Sequence, residues 1–252
     1  MSLDHEPPLP IQPLAAWRAL MALRRNSQDT LQVFKLTQAL AGKRPIELRA
    51  RFRGHPMGLQ RLTERRSLLP TLTRTDWLAQ LPPGTVGRVY RDFLAEQGLT
   101  AQGLVELSQK AFGTMDDDGS DRYYIGRRLR DMHDLFHVLA GFGRDELGEV
   151  CVLAFSYPHQ RTRSFGVIAT AGAFTLRRRF AHPGVLGAVW QAYQLGKRCE
   201  WLLVQDIESL LSRDLQEVRR ELGIGTPTRY LKVIADLRQR GKDLPFPPGT
   251  TP

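Results

Sequence analysis

HDLFHVLAGFGRDELGE, residues 133–149, combines two helical apolar patterns with the signals for a sharp turn between them. Apolar residues recur at helical spacing on both sides of the interval GFGRD. Gly141 is suited to end the first helix, and Asp145 is suited to cap the N-terminus of the second. The stretch therefore predicts two helices joined by a tight reversal, which would bring Glu149 back beside His133 and His137.

Helical spacing also dominates the rest of the chain, as in LAAWRALMAL, GRVYRDFLAEQ and VLGAVWQAYQLGKRC. Strict alternation of apolar and polar residues is scarce, so the sequence predicts an all-α protein of roughly eight to eleven helices. Its 252 residues favour a single multi-helix domain. Because prolines cluster at both ends, we expect flexible tails over residues 1–13 and 245–252 around a helical domain at 14–244.

The bulk composition restricts the possible partners. A formal net charge of +10 favours anionic partners, either nucleic acid or an acidic bilayer surface. The basic residues are dispersed and match no nucleic-acid-binding motif, which predicts no nucleic-acid partner. The longest uncharged apolar run is too short to span a bilayer, so any membrane contact is expected to be peripheral.

The two cysteines and the N-terminal segment bear on the cellular compartment of the protein. The two cysteines, Cys151 and Cys199, lie in apolar or helical stretches and do not suggest a disulfide framework. The segment MSLDHEPPLP has neither the apolar core of a signal peptide nor the arginine-rich character of a mitochondrial presequence. These features predict a bacterial cytoplasmic protein, bound peripherally to the inner face of the cytoplasmic membrane.

The histidines share one face of the first motif helix. If residues 123–141 form a single helix, then His133, His137, Asp134 and Arg130 fall within about 100° of one another. Apolar side chains occupy the opposite side and predict burial of that side. Solvated faces are usually built from lysine, glutamate and arginine, whereas histidines at i and i+4 aim two imidazoles at one point. The pair therefore favours a metal site.

Glu149 begins the strongly apolar segment EVCVLAFSY, where an ionised carboxylate needs a partner. One interpretation is a structural salt bridge to Arg130 or Arg144. The other is a cation held jointly with His133 and His137, which also explains the histidine spacing. Imidazoles with one or two carboxylates suit Zn²⁺, Fe²⁺ or Mn²⁺, and this number of ligands leaves room for water or substrate, as in catalytic sites.

The motif and its flanks point to a known family. His133-Asp134-x-x-His137, eleven residues and Glu149 resemble the HDxxH-x(11)-E signature of the ubiquinone (coenzyme Q) biosynthesis protein 4 family. Flanking segments, including LPPGTVGRVYRDFLAEQGL and WQAYQLGKRCEWLLVQDIESLL, extend the resemblance over about residues 28–238. Phe136 departs from the pattern, since tryptophan is more frequent there, and this affects the shape of the pocket.

The resemblance implies a helical, homodimeric, membrane-peripheral protein that binds a polyprenyl tail and works with other ubiquinone-biosynthesis proteins. It implies His133, Asp134, His137 and Glu149 as the metal ligands, with zinc first and iron or manganese next. The implied activity is that of a metal-dependent decarboxylase or lyase. It removes the C1 carboxyl of a polyprenylated 4-hydroxybenzoate, or a related quinone precursor, and hydroxylates that carbon.

Two further roles follow from the residues themselves. Arg130, on the same face as the predicted ligands, either orients the substrate carboxylate as a catalytic residue or forms a surface ion pair. The uncharged segment SFGVIATAGAFTL lies between Arg163 and Arg177. It either lines a groove for the tail, with arginines at lipid headgroups, or forms a central core helix.

Other functions remain open alternatives. HDLFH resembles the HExxH of zinc hydrolases, but its shorter acid would lie farther from the attacking water. A phosphohydrolase of the HD type would need a further upstream histidine, and His55 is poorly placed. The main alternative is a non-catalytic scaffold that binds the metal and the lipid precursor and holds the pathway's enzymes together.

Overall fold

The all-α architecture is confirmed. The computed structural model describes residues 7–25, 29–96, 98, 100, 101, 103, 106 and 117–242. These residues contain fifteen α-helices in one compact domain and no β-strand. The sequence predicted fewer helices because short ones such as Leu69–Leu72 and Ile207–Leu210 contain too few residues to show periodicity.

The first part of the domain consists of seven helices. They are α1 (Pro13–Arg25), α2 (Thr30–Ala39), α3 (Arg44–Arg53), α4 (Pro56–Glu64), α5 (Leu69–Leu72), α6 (Thr75–Gln80) and α7 (Val86–Glu96).

Eight more helices follow residue 117. They are α8 (Asp121–Asp131), α9 (His133–Ala140), α10 (Glu146–Gln160), α11 (Arg163–Phe180), α12 (Gly184–Arg198), α13 (Ile207–Leu210), α14 (Leu215–Glu221) and α15 (Thr228–Gln239), with a 3₁₀ turn at Leu202–Val204.

The two ends of the chain were predicted to be tails. Of the first tail, residues 7–12 have no regular structure, yet Leu9 N donates a hydrogen bond of 3.2 Å to Gly42 O. Pro13, the last residue of that predicted tail, begins α1. Residues 1–6 and the whole of the second tail, 245–252, lie outside the described residues.

Helix α10 lies at the centre of the main core. Its residues 150–155 are all buried, as expected from a segment that is apolar around its whole circumference. It packs against α11 and α12, and Gly196 of α12 permits a close approach. A Cβ at Gly196 would lie 2.0 Å from the carbonyl oxygen of Phe155. The helix that carries Glu149 is therefore held on several sides by packed neighbours.

Helices α1 and α2 form a hairpin with a small core of its own. Its buried residues are Ala16, Ala19, Leu23, Leu36 and Ala39. Ile168 of α11 packs against this cluster and links the hairpin to the rest of the domain.

The prediction of one helix over residues 123–141 was wrong. The chain breaks between α8 and α9 at Met132, which has φ −86° and ψ −6° and is fully buried. The N–H of Met132 donates an α-helical hydrogen bond of 3.0 Å to the carbonyl of Arg128, which closes the last turn of α8. Because α9 starts afresh, the angular positions of α8 residues relative to His133 do not follow from a single helical wheel.

No helix in the described parts of the chain combines the length and apolarity needed to cross a bilayer. The long helix α11 buries Ala169 and Ala173 on one side and exposes Val167 and Phe174 on the other. One side of α11 thus packs in the core, whereas its exposed side carries large apolar side chains.

Candidate metal centre

The two histidines occupy the first two turns of α9. His133 begins the helix and His137 follows one turn later, so their rings stand 5.2 Å apart between centroids at an interplanar angle of 83°. His137 is fully buried, whereas the side chain of His133 is 28% exposed. The pair therefore extends from the core to the partly exposed surface.

The predicted reversal between α9 and α10 is confirmed. Helix α9 ends at Gly141, whose φ of +76° is a left-handed conformation that glycine adopts without strain. The Asp145 side chain caps α10 by accepting hydrogen bonds from Leu147 N and Gly148 N, each of 3.0 Å. The turn places Glu149, in the first turn of α10, opposite the histidines.

Glu149 and the histidines form a group of metal-ligand type. Glu149 Oε2 lies 3.6 Å from His137 Nε2 and 4.0 Å from His133 Nε2. The three ligand atoms all lie within 4.8 Å of one another, and the group can hold a metal ion. Tetrahedral bonds of about 2.1 Å place neighbouring ligand atoms about 3.4 Å apart, so small side-chain rotations suffice to close the group around a cation.

His137 is prepared as a ligand by its other nitrogen. Its Nδ1 lies 3.1 Å from the carbonyl oxygen of Phe142, a group that only accepts hydrogen bonds, so Nδ1 carries the proton. This leaves Nε2 as the ligand atom, and Nε2 is buried without a hydrogen-bond partner. Glu149 Oε1 is also buried without a hydrogen bond, although Arg144 Nε lies 3.4 Å from it. Orphaned polar atoms of this kind need a proton, a water or a cation, and ligating histidines are usually oriented in this way.

Electrostatics within the group favour the ionised carboxylate. Burial opposes the ionisation of Glu149, but His137, His133 and Arg144 outweigh it and lower its pKa to about 2. Burial also disfavours the His137 cation, yet the Glu149 carboxylate raises the His137 pKa. Burial, reinforced by His137, lowers the pKa of His133. A stable carboxylate beside two imidazoles suits a borderline divalent cation.

Arg144 joins the two carboxylates of the site. Its Nε lies 3.4 Å from Glu149 Oε1, and its Nη1 lies 3.3 Å from Asp134 Oδ1. The predicted salt bridge between Glu149 and Arg144 is thus present on one oxygen, while the histidines face the other. Asp134, predicted as a fourth ligand, faces Arg144 and is not part of the three-residue group.

Arg130, the predicted catalytic residue, lies on α8, before the break at Met132. Its Nη2 and Nε both lie 2.9 Å from Asp131 Oδ1. Burial raises the pKa of Asp131 despite this arginine. The structure thus gives Arg130 a close carboxylate partner of its own, and its role with substrate stays a prediction.

Two residues from the C-terminal helices support the turn and were missed from the sequence. Tyr230 of α15 accepts a hydrogen bond of 2.9 Å from Gly143 N and donates one to Asp145 Oδ2. Arg219 of α14 donates to the carbonyls of Leu139 and Val138, at 2.9 and 2.8 Å. Both lie about 80 residues from their partners, and no local pattern links such distant positions.

Comparison with known proteins agrees with the motif. The family model of the coenzyme Q (ubiquinone) biosynthesis protein Coq4 matches residues 9–228. The mitochondrial ubiquinone biosynthesis protein coq-4 of Neurospora crassa is 30% identical over 203 residues, which cover 78% of this chain and 53% of the relative. The mitochondrial COQ4 homolog of Danio rerio is 33% identical over 197 residues, covering 77% of this chain and 68% of the relative.

Coverage and fold similarity complete the comparison. The chain spans about half the length of some curated relatives, such as the fungal proteins at 53% and 56%. A crystal structure from Nostoc punctiforme, described as that of a candidate ubiquinone biosynthesis protein, superposes with a TM-score of 0.65 at 22% identity. The match covers 85% of this chain and 97% of that one and shows a shared fold.

The predicted location is contradicted by the names of the relatives. Curated relatives from fungi and vertebrates are named as mitochondrial proteins, which points to mitochondria in eukaryotes rather than to a bacterial cytoplasm. The prediction failed because the composition of a few N-terminal residues tests for one kind of targeting segment and does not report a compartment.

The family resemblance drawn from the motif is confirmed. The match extends over most of the chain, and the histidines and the glutamate of the motif converge in space as metal ligands would. The chain therefore belongs to the coenzyme Q (ubiquinone) biosynthesis protein Coq4 family.

Proposed function

We propose that the protein binds a divalent cation through His133, His137 and Glu149 and removes the C1 carboxyl of a polyprenylated 4-hydroxybenzoate. The observation that carries the proposal is the approach of Glu149 Oε2 to both imidazoles, together with the buried, unpartnered Nε2 of His137 and its fixed tautomer. Zinc is the first candidate because imidazole and carboxylate ligands suit it, with iron and manganese next.

The chemistry divides between the ion and the protein. When bound, the cation supplies Lewis acidity toward a substrate oxygen. In the reaction, the bond between C1 and the carboxyl carbon breaks, CO₂ leaves and the electron pair remains with the ring at C1. A proton then takes the vacated position, or hydroxylation of C1 follows. Starting from the carboxylate, hydroxylation consumes one O₂, two electrons from an external reductant and three protons, and yields CO₂, the hydroxylated ring and one water.

The chain's own residues bind and orient. His137 is held by the Phe142 carbonyl, so its imidazole cannot rotate away without losing a buried hydrogen bond. Glu149 contributes a negative charge that persists at neutral pH, because its pKa lies at about 2. His133 lies at the exposed edge, where a substrate can approach.

We further propose that the outward face of α11 receives the polyprenyl tail at a membrane surface. Val167 and Phe174 expose apolar side chains, and Arg177, Arg178 and Arg179 at the end of the helix are exposed and can meet anionic headgroups. Homodimer formation and binding to other ubiquinone-biosynthesis proteins belong to the same proposal, and membership of a ubiquinone-biosynthesis family supports the second.

The test combines metal content with turnover. Protein purified without a histidine tag is analysed for zinc, iron and manganese and is then incubated aerobically, with each metal, with a polyprenyl-4-hydroxybenzoate while CO₂ is measured. We expect about one metal per chain in the wild type, a large loss in His133→Ala and Glu149→Gln, and CO₂ release that follows metal content.

His182→Ala provides the matched control. His182 is a buried histidine paired with Asp236 at 3.2 Å and is not part of the ligand group. It should retain wild-type metal content. Metal binding without CO₂ release by any metal form would contradict the enzymatic proposal and favour a metal-bearing lipid-binding scaffold. Failure of the wild type to take up any transition metal would overturn the ligand assignment itself.

A further inference from the structure

Arg144 is the cation that lies closest to the ligand group. Its guanidinium bridges Glu149 and Asp134, and its side chain is 25% exposed, close to the exposure of Glu149 at 24%. Asp134 is more deeply buried, with an 8% exposed side chain. Arg144 therefore reaches the solvent-exposed surface while it pairs with an interior carboxylate.

The contacts of Arg144 are long for charged pairs. Its distances of 3.3 and 3.4 Å exceed the roughly 2.7–2.9 Å of a well-formed hydrogen bond between a guanidinium and a carboxylate. Arg130, in contrast, is held by Asp131 at 2.9 Å through two nitrogens. A guanidinium has five N–H donors, so Arg144 can accept a third carboxylate with little loss from the existing pairs.

The charges around Glu149 lead to the same conclusion. One carboxylate oxygen faces the two histidines and the other faces Arg144. A cation bound by Glu149 and the histidines would share the negative charge that now attracts Arg144. The guanidinium would then have a weaker hold on Glu149 and would remain anchored by Asp134, beside any anion bound to the cation.

We propose that Arg144 binds the carboxylate of the substrate and that Asp134 is a positioning residue that holds Arg144. The inference rests on the proposed metal site. It assigns the binding of the carboxylate to a residue of the turn between α9 and α10, and it gives the aspartate of the motif a function other than metal ligation.

The experiment compares two small ligands that differ only in the carboxyl group. They are 3-(3-methylbut-2-enyl)-4-hydroxybenzoate and 2-(3-methylbut-2-enyl)phenol. Binding of each to zinc-loaded full-length protein is measured by calorimetry, for the wild type, Arg144→Gln, Arg144→Lys and Arg130→Gln. Arg213→Gln, which removes an exposed ion pair with Glu221, controls for the loss of one surface charge. Metal content and circular dichroism are recorded for every variant.

We expect the wild type to bind the acid at least about 10-fold more tightly than the phenol. Arg144→Gln should lose about 10- to 100-fold in affinity for the acid, the range for a charged hydrogen bond, with little change for the phenol. The affinity of Arg144→Lys for the acid should lie between those of the wild type and Arg144→Gln, because lysine keeps the charge and loses the planar guanidinium. Unchanged acid binding in Arg144→Gln, or a larger loss in Arg130→Gln, would overturn the inference. Absence of any preference for the acid in the wild type would overturn it as well.

These outcomes are distinct from failure of the proposed reaction. If the acid binds through Arg144 but no CO₂ is released, the decarboxylase proposal fails and the role of Arg144 stands. If Arg144→Gln keeps full metal content and releases CO₂ at the wild-type rate at low substrate concentration, the decarboxylase proposal stands and the role of Arg144 fails.

Discussion

His137 and Phe142 are joined by a hydrogen bond of 3.1 Å between the Nδ1 of the buried histidine and a backbone carbonyl. Phe142 belongs to the turn that delivers Glu149, so one contact sets the histidine tautomer and ties it to the position of the third ligand. We therefore expect metal affinity to depend on the geometry of the turn as well as on the ligands.

Metal binding should stabilise the fold through the ligand group. At a free zinc concentration about 100 times the Kd, linkage predicts an increase of about 2.7 kcal/mol in the free energy of unfolding. In Glu149→Gln the increase should be largely lost, because the variant removes the negative ligand from the cation. Chemical denaturation with zinc and with chelator measures both values. An equal zinc-dependent increase in the variant would contradict the assignment of Glu149.

Asp134→Asn tests whether the motif aspartate positions Arg144 or binds the metal ion. Since Asp134 faces Arg144 and lies outside the three-residue group, we expect metal affinity to fall by less than about 10-fold. The affinity for the prenylated hydroxybenzoate should also fall, because Arg144 loses the carboxylate that positions it. Competition with a chromogenic chelator gives the metal affinity. A loss as large as that of Glu149→Gln would make Asp134 a metal ligand instead.

Tyr230→Phe should weaken both the fold and the metal site. The change leaves Gly143 N without its acceptor and Asp145 Oδ2 without its donor, which costs about 1–3 kcal/mol of unfolding free energy. Because these groups define the turn, metal affinity should fall by about 10-fold. Tyr193→Phe is the matched control, since this half-buried tyrosine of α12 contacts Tyr157 and Trp190 through its ring. Stability loss without any change in metal affinity would show that Tyr230 supports only the fold.

Burial of His159 should make the free energy of unfolding decrease at acid pH. It is buried against Phe136 and Phe155, and burial, aided by Arg51, lowers its pKa to about 3. The unfolded value is about 6.5, so the unfolded chain binds the proton first. The stabilising contribution is therefore complete above pH of about 6.5 and is lost as the pH falls toward 3.

The measurement compares the wild type with His159→Phe. The stability difference between the two proteins should change by a few kcal/mol, as an order of magnitude, between pH of about 6.5 and 3.5. Urea unfolding at several pH values provides the curve. A difference that does not vary with pH would show that His159 is not kept neutral by the fold.

Gly148→Ala should disrupt the turn, whereas Gly126→Ala should not. A Cβ at Gly148 would lie 2.0 Å from the carbonyl oxygen of Gly143, which cannot move without displacing the turn. We expect a loss of about 2–3 kcal/mol in stability together with weaker metal binding. Gly126 lies inside α8 with nothing within 4 Å of an added Cβ, so alanine there should stabilise by about 0.5–1 kcal/mol. Thermal unfolding of both variants checks the contrast.

The sequence predicted those parts of the fold and site that depend on local signals. Gly141 and Asp145 determine the ends of α9 and α10 through backbone preferences of a few residues, and the turn formed as expected. The break at Met132, whose side chain is fully buried, carries no glycine or proline, so no local signal marks it in the sequence. The pairing of Asp134 with Arg144 was also beyond reach, because it depends on how the turn folds back over α9.

Tyr230 follows Asp145 by 85 residues, yet it completes the turn that holds the ligand group. During translation, all three ligating side chains leave the ribosome long before this tyrosine is added. A nascent chain would accordingly bind a cation only weakly, and the full affinity would arise when α15 packs against the turn. Under the proposed ligand assignment, loading of the protein with a cation is thereby linked to completion of its synthesis and folding.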